Sequence, residues 1–135
     1  MSIEQVGILR KELGNSLAEF NELISEGRGV ELKRNDSLKS YEKRIDMALT
    51  LQYSASYIVS LAYRLLVITK ERFKDYRLGS KEYTAIKSGY DELNSMIEIY
   101  KNHVYTFSQR AKVLSETLKI KQMANPDISR FDIDA

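Results

Sequence analysis

Apolar residues recur with a regular helical spacing between residues 83 and 118. The intervals alternate strictly between three and four residues, through Tyr83, Ile86, Tyr90, Leu93, Ile97, Tyr100, Val104, Phe107, Ala111, Leu114 and Leu118. At this heptad period a helix keeps one apolar seam against a neighbour by left-handed supercoiling. The pattern therefore predicts a long helix, about residues 80–123, with coiled-coil-like packing.

The seam of this helix has two interpretations, which are not exclusive. It contacts another copy of the chain or a partner protein, or it packs inside one bundle. At 1.5 Å per residue the helix would be about 60 Å long, whereas a compact domain of this size has a radius of gyration near 14 Å. Unless Ser88-Gly89 breaks the helix, we expect an elongated hairpin that oligomerises through Ile86, Leu93, Ile97, Tyr100, Val104, Phe107, Leu114 and Leu118.

Two further helices are predicted upstream. The first covers about residues 2–26, where apolar residues recur every three or four positions. The second covers about residues 36–78, between the N-capping candidates at 35–37 and Gly79. The sequence thus predicts a single all-α domain over 1–124, either an elongated helical hairpin or a bundle of three main helices.

The remaining residues, 125–135, form an acidic and apolar tail after Pro126. Its apolar side chains are candidates for docking, either on the tail's own bundle or on a neighbour. These candidates are Ile128, Phe131 and Ile133.

The composition restricts the location and chemistry of the protein. The 135 residues include no cysteine, which suits a reducing compartment, and we expect a cytoplasmic protein. The longest apolar stretch, residues 57–68, is interrupted by Ser60 and Arg64 and is shorter than the roughly 20 residues of a membrane span. We therefore expect no membrane partner.

The motifs that mark catalytic or metal-binding sites are missing from the sequence. His103 is the single histidine, so no histidine and cysteine set for zinc exists. Phosphate-binding glycine loops and nucleophile elbows are also missing. We expect no enzyme activity, no cofactor and no metal, and we expect His103 to lie on a helix surface.

Charge is segregated along the chain although the net charge is only +2. Residues 28–44, 64–81 and 101–121 are basic, whereas residues 1–27 and 82–98 are acidic. The end of the second helix also carries aromatic residues, a mixture that neutralises phosphates and stacks on unpaired bases. The alternative is an ordinary solvated surface. The candidate nucleic-acid contacts are Lys70, Arg72, Lys74, Arg77 and Lys81.

The end of the second helix has the sequence Lys70-Glu71-Arg72-Phe73-Lys74-Asp75-Tyr76, followed by Gly79 and Lys81, and the pair Ile120-Lys121 comes later in the chain. Together these residues resemble the UvsY recombination mediators of tailed phages. The resemblance covers about residues 65–121. It implies a helical, ring-forming oligomer that binds single-stranded DNA, with Lys70 and Arg72 as DNA contacts, and that helps a recombinase displace single-strand-binding protein. It also implies the cytoplasm of a phage host. The chain departs from the family pattern in its first helix and its acidic tail.

The sequence thus favours a non-catalytic, homo-oligomeric accessory protein that binds single-stranded nucleic acid. The alternative is a protein-only interaction module, such as a phage assembly part, a chaperone or an inhibitor, which uses the apolar seam. Salt separates the two functions, because only binding to phosphates weakens steeply as ionic strength rises.

Overall fold

The computed structural model describes residues 3–28 and 37–124. Within these residues the chain forms three long α-helices and no strand, so the predicted all-α fold is confirmed. The helices are α1, Ile3–Arg28, α2, Leu38–Arg72, and α3, Lys81–Ala124. A short 3-10 turn, Phe73–Asp75, follows α2. The 44 residues of α3 continue through Ser88 and Gly89 without a break.

Serine side chains cap the two helices of the hairpin. The backbone N–H of Ser40 donates to Ser37 Oγ at 3.3 Å, so the predicted N-cap lies at Ser37. The N–H of Tyr83 donates to Ser80 Oγ at 3.1 Å and caps α3 in the same way. Gly79 has a φ of 86°, a left-handed conformation that glycine adopts without steric cost. The chain therefore reverses just before Ser80.

α2 ends at Arg72, earlier than the predicted end near Leu78. The Phe73 ring lies 5.1 Å from the ring of Tyr83 and 5.5 Å from that of Tyr90. Tightening the backbone into the 3-10 turn lets the Phe73 ring pack on α3. A continued α-helix would carry the Phe73 ring past α3. An aromatic contact between two helices therefore decides where α2 stops.

The helices run up, down and up. Lys101 Nζ on α3 donates to the Tyr63 hydroxyl on α2 at 2.9 Å, and Lys121 lies 5.2 Å from the ring of Tyr41. These contacts make α2 and α3 antiparallel. The Tyr57 hydroxyl donates to the Glu12 carboxylate and joins α1 to α2. The hydrogen bond to Tyr63 also raises the pKa of Lys101.

The core lies where all three helices meet. α2 contributes most of it, and Ala55 and Ile58 are fully buried. α1 closes one side and α3 the other, because each presents its apolar stripe to α2. The buried cluster consists of Leu9, Leu13, Phe20, Leu51, Ala55, Ile58, Leu61, Leu65 and Phe107.

One helix among the described residues is long and apolar enough to cross a membrane by length and composition. An 18-residue window of the segment Leu38–Asp75 has a mean hydropathy of 1.2, and 33% of that window is buried. One such helix is weak evidence for a membrane span, because the core helix of a soluble protein has the same character. The low buried share of the window also means that much of α2 faces outward.

Candidate nucleic-acid interface

The five cations predicted to contact nucleic acid lie together at the turn between α2 and α3, which we call the basic tip. Lys70 and Arg72 end α2, Lys74 lies in the 3-10 turn, Arg77 lies in the connection, and Lys81 begins α3. All five side chains are exposed. Lys74 Nζ forms an ion pair with Glu71 at 3.2 Å, whose two side chains are both well exposed. The antiparallel hairpin therefore brings these residues to one end of the molecule.

The aromatic residues of the basic tip divide into two groups. Phe73 and Tyr83 are half-buried and contact each other, so they hold the tip together. Tyr76 keeps 37% of its surface exposed and the neighbouring Leu78 keeps 79%. Tyr76 is therefore the aromatic side chain of the tip that remains available to stack on a base.

The opposite end of the hairpin carries a second group of cations, which we call the basic end. It combines residues from the start of α2 with residues from the end of α3, two stretches that are far apart in the sequence. Lys121 lies over Tyr41, and Arg110 lines the same cavity as Lys43 and Arg44. Sequence reasoning found both basic stretches but had no information that places them side by side.

The cavity at the basic end has a volume of about 800 Å³. Leu23, Ile24, Phe107 and Leu114 contribute to its apolar walls. Arg44 Nε and Nη2 are buried there and have no hydrogen-bond partner among the described residues. Buried guanidinium nitrogens without a partner lose hydration that nothing replaces, so this cavity combines apolar walls with unsatisfied donors of a cation, and Asp46 also lines it.

The predicted oligomer or partner seam of α3 packs inside the chain. Ile86, Ile97 and Phe107 are 8%, 3% and 5% exposed. Other members are half-buried, namely Leu93, Tyr100, Val104, Leu114 and Leu118. This is the intrachain packing that the heptad pattern equally allows, and it leaves only the margins of the seam open to a partner.

The seam also contains an aromatic cluster centred on Phe20 of α1. Its ring lies 5.2 Å from those of Tyr100 and His103, and 6.2 Å from that of Phe107. His103 is half-buried in these contacts rather than placed on an open helix surface. Burial raises the pKa of Tyr100. His103 therefore has a packing role between α1 and α3, which its position beside Val104 did not reveal.

Several predictions fall on residues whose placement the structure does not describe. The docking residues Ile128, Phe131 and Ile133 lie outside the described residues, as do residues 29–36 of the basic stretch 28–44. Within residues 3–28 and 37–124, no group of three or more acidic, histidine or cysteine side chains is arranged to hold a metal ion.

Comparison of the chain with protein-family models finds no match. Neither the curated proteins nor the solved structures include a match to it. Its function must therefore be argued from its own surfaces.

Proposed function

We propose that this protein is a non-catalytic accessory protein that binds single-stranded nucleic acid at the basic tip. The observation that carries the proposal is the placement of five exposed cations around an exposed tyrosine at one end of the hairpin. Cations that neutralise phosphates supply affinity without sequence preference. An aromatic face such as that of Tyr76 adds stacking to an unpaired base, which a duplex does not offer.

The resemblance to the UvsY mediators gives the proposal a specific form. In this form the protein is a cytoplasmic homo-oligomer that assists the loading of a recombinase on single-stranded DNA. The shape of the hairpin is compatible with this role, because the basic tip projects away from the packed core and leaves Lys70 and Arg72 exposed.

Fluorescence anisotropy with a labelled oligothymidylate, at low and at physiological salt, tests the proposal. The variant Arg72→Glu/Arg77→Glu reverses two cations of the basic tip that form no ion pair within the described residues. We expect it to lose at least about tenfold in affinity and to lower the slope of log affinity against log salt by about 1.4, or about 0.7 for each lost phosphate contact.

The matched control is Arg10→Glu/Lys11→Glu, which makes the same change of charge on the exposed surface of α1. We expect it to bind much more tightly than the tip variant. Equal losses in the two variants would show that only net charge matters and would remove the basic tip from the proposal. Absence of binding by the unaltered protein at both salt concentrations would favour the protein-only interaction module.

A further inference from the structure

The outward face of α2 carries a second heptad pattern, independent of the seam of α3. Its positions recur at intervals of 3, 4, 3, 4, 3, 4 and 3 residues, and every one of these side chains is exposed. We call this set the outer face, and it consists of Asp46, Leu49, Tyr53, Ser56, Ser60, Tyr63, Val67 and Lys70.

The exposure of its apolar members is large. Tyr53 is 77% exposed, Val67 60%, Leu49 48% and Tyr63 42%. Between Asp46 and Lys70 the only charged residue of the whole helix is Arg64. The exposed apolar residues of α3 differ, because charged residues such as Lys112 lie among them. Among the residues of α2, the outer face is thus charged only at its two ends, and its charged neighbour on α3 is Lys101, whose Nζ lies over the ring of Tyr63. The other sides of α2 pack against α1 and α3.

Between its two charged ends, the outer face has similar residues at equal distances on either side of its centre. Leu49 lies as far from the centre as Val67, Tyr53 as far as Tyr63, and Ser56 as far as Ser60. A two-fold axis at Ile58 would therefore place each residue opposite one of the same kind. An isologous dimer requires this self-complementarity, because the same patch serves both subunits.

The two ends of the outer face carry opposite charges at equal distances from its centre. Asp46 lies on one side of the centre and Lys70 lies equally far on the other. In an antiparallel pair each Asp46 meets Lys70 of the other copy, twice per dimer. A parallel pair would place Asp46 against Asp46 and Lys70 against Lys70, which repel. The charges therefore select both the partner and its direction.

From these observations we propose that the outer face of α2 binds a second copy of this chain, antiparallel and centred at Ile58. Ser56 and Ser60 meet at the centre, where small side chains let two helices approach closely. The face is about 36 Å long, and with a helix width of about 10 Å two copies bury on the order of 700 Å² in total. This area is below the roughly 1,000 Å² expected of a stable specific interface, so the dimer is weak and depends on concentration.

The dimer has a consequence for the surface of the molecule. Antiparallel pairing brings the basic tip of one copy beside the basic end of the other, at both ends of the dimer. Two basic groups that lie far apart in one chain would then form one larger cationic surface. The dimer itself rests on the outer face alone and does not depend on nucleic-acid binding.

Sedimentation equilibrium without nucleic acid, over a wide range of protein concentration, tests the proposal through a charge swap. Asp46→Lys and Lys70→Asp each place like charges opposite one another twice in the dimer. We expect each single variant to weaken dimerisation by about tenfold, because two exposed ion pairs in the dimer are replaced by two pairs of like charge. We expect the double variant Asp46→Lys/Lys70→Asp to return to within about twofold of the unaltered protein.

A second pair of variants tests the apolar part of the face. Tyr53→Glu places a charge in the middle of the outer face and should abolish the dimer. Ile99→Glu is the matched control, since Ile99 is 53% exposed and lies two residues from Lys101, on the other side of α3 from the residue that contacts Tyr63, and it should dimerise normally. Both side chains are largely exposed, so unchanged circular dichroism is expected for both variants.

Three outcomes would overturn the proposal. The first is a monomeric mass at every concentration. The second is a dimer that the single variants weaken and the double variant does not restore, which would exclude the antiparallel arrangement. The third is a monomer that binds phosphatidylglycerol vesicles and loses this binding in Tyr53→Glu, which would assign the outer face to a membrane surface.

Discussion

Arg44 shows how a single residue can work against the stability of the fold. Its Nε and Nη2 atoms are buried in the cavity at the basic end and lack partners in the described residues. Lys43 and Arg110 line the same cavity and add positive charge, whereas Asp46 contributes one negative charge to it. Such a group stays in a fold at a cost of about 1–3 kcal/mol, so Arg44 offers a direct test of the cavity.

We expect Arg44→Met to raise the free energy of unfolding by about 1–3 kcal/mol, because methionine fills a similar space without a guanidinium to desolvate. Urea denaturation in a buffer without sulfate or phosphate measures the change. Arg64→Met is the control on the same helix and should change stability by less than about 0.5 kcal/mol, since Arg64 is exposed. A less stable Arg44→Met protein would contradict an unsatisfied guanidinium at this position.

At the scale of the elements, α3 shows which structural features a heptad pattern predicts and which it leaves open. The pattern identifies the buried face, and Ile86, Ile97 and Phe107 are indeed buried. It does not identify which helix covers that face, because α1, α2 and a second copy would all satisfy the same spacing. The structure places the seam against helices of its own chain.

Ile97→Ala distinguishes an intrachain core from an oligomer seam. Ile97 is 3% exposed, so we expect the truncation to lower the free energy of unfolding by about 2–5 kcal/mol. The loss should be the same at all protein concentrations. Val113→Ala is the control, since Val113 is 58% exposed on the same helix, and it should change stability by less than about 0.5 kcal/mol. A loss that disappears at high protein concentration would indicate a seam between copies.

Features that depend on residues close in sequence were predictable, whereas features that depend on contacts between distant residues were not. The cap at Ser37 and the turn at Gly79 depend on neighbours in sequence and were predictable. The early end of α2 depends on Phe73 meeting Tyr90 across the turn, and the burial of His103 depends on Phe20 from another helix. The five cations of the basic tip were identified because a hairpin turn brings together residues that are already close in sequence. The basic end required tertiary structure.

At the scale of the whole molecule, charge and packing vary along the same long axis. The middle of α2 holds the buried core on its inner sides and the uncharged outer face on the other. Cations collect at the two ends, at the turn between α2 and α3 and where Tyr41 meets Lys121. A molecule with this layout keeps its cationic surfaces about 50 Å apart, the length of the 35 residues of α2 at 1.5 Å each.

Because α1 does not cover the whole length of the hairpin, the stability against local opening varies along the long axis. Residues 9–20 of α1 supply its buried positions in the core cluster, whose members on α2 lie between 51 and 65. At the basic tip the hairpin consists of α2 and α3, whereas Leu23, Ile24 and Gly27 of α1 still line the cavity at the basic end. Local opening is easier where fewer apolar contacts must break. We expect amide hydrogen exchange by mass spectrometry to be slowest at residues 51–65, and equal protection along α2 would contradict this.

The basic tip would then belong to the part of the molecule that opens most readily. The basic tip would adjust its backbone to a ligand by fraying, while the three-helix middle stayed intact. Binding and folding would be separated along one helix, so a ligand that ordered the tip would slow exchange there and leave the exchange of the core unchanged.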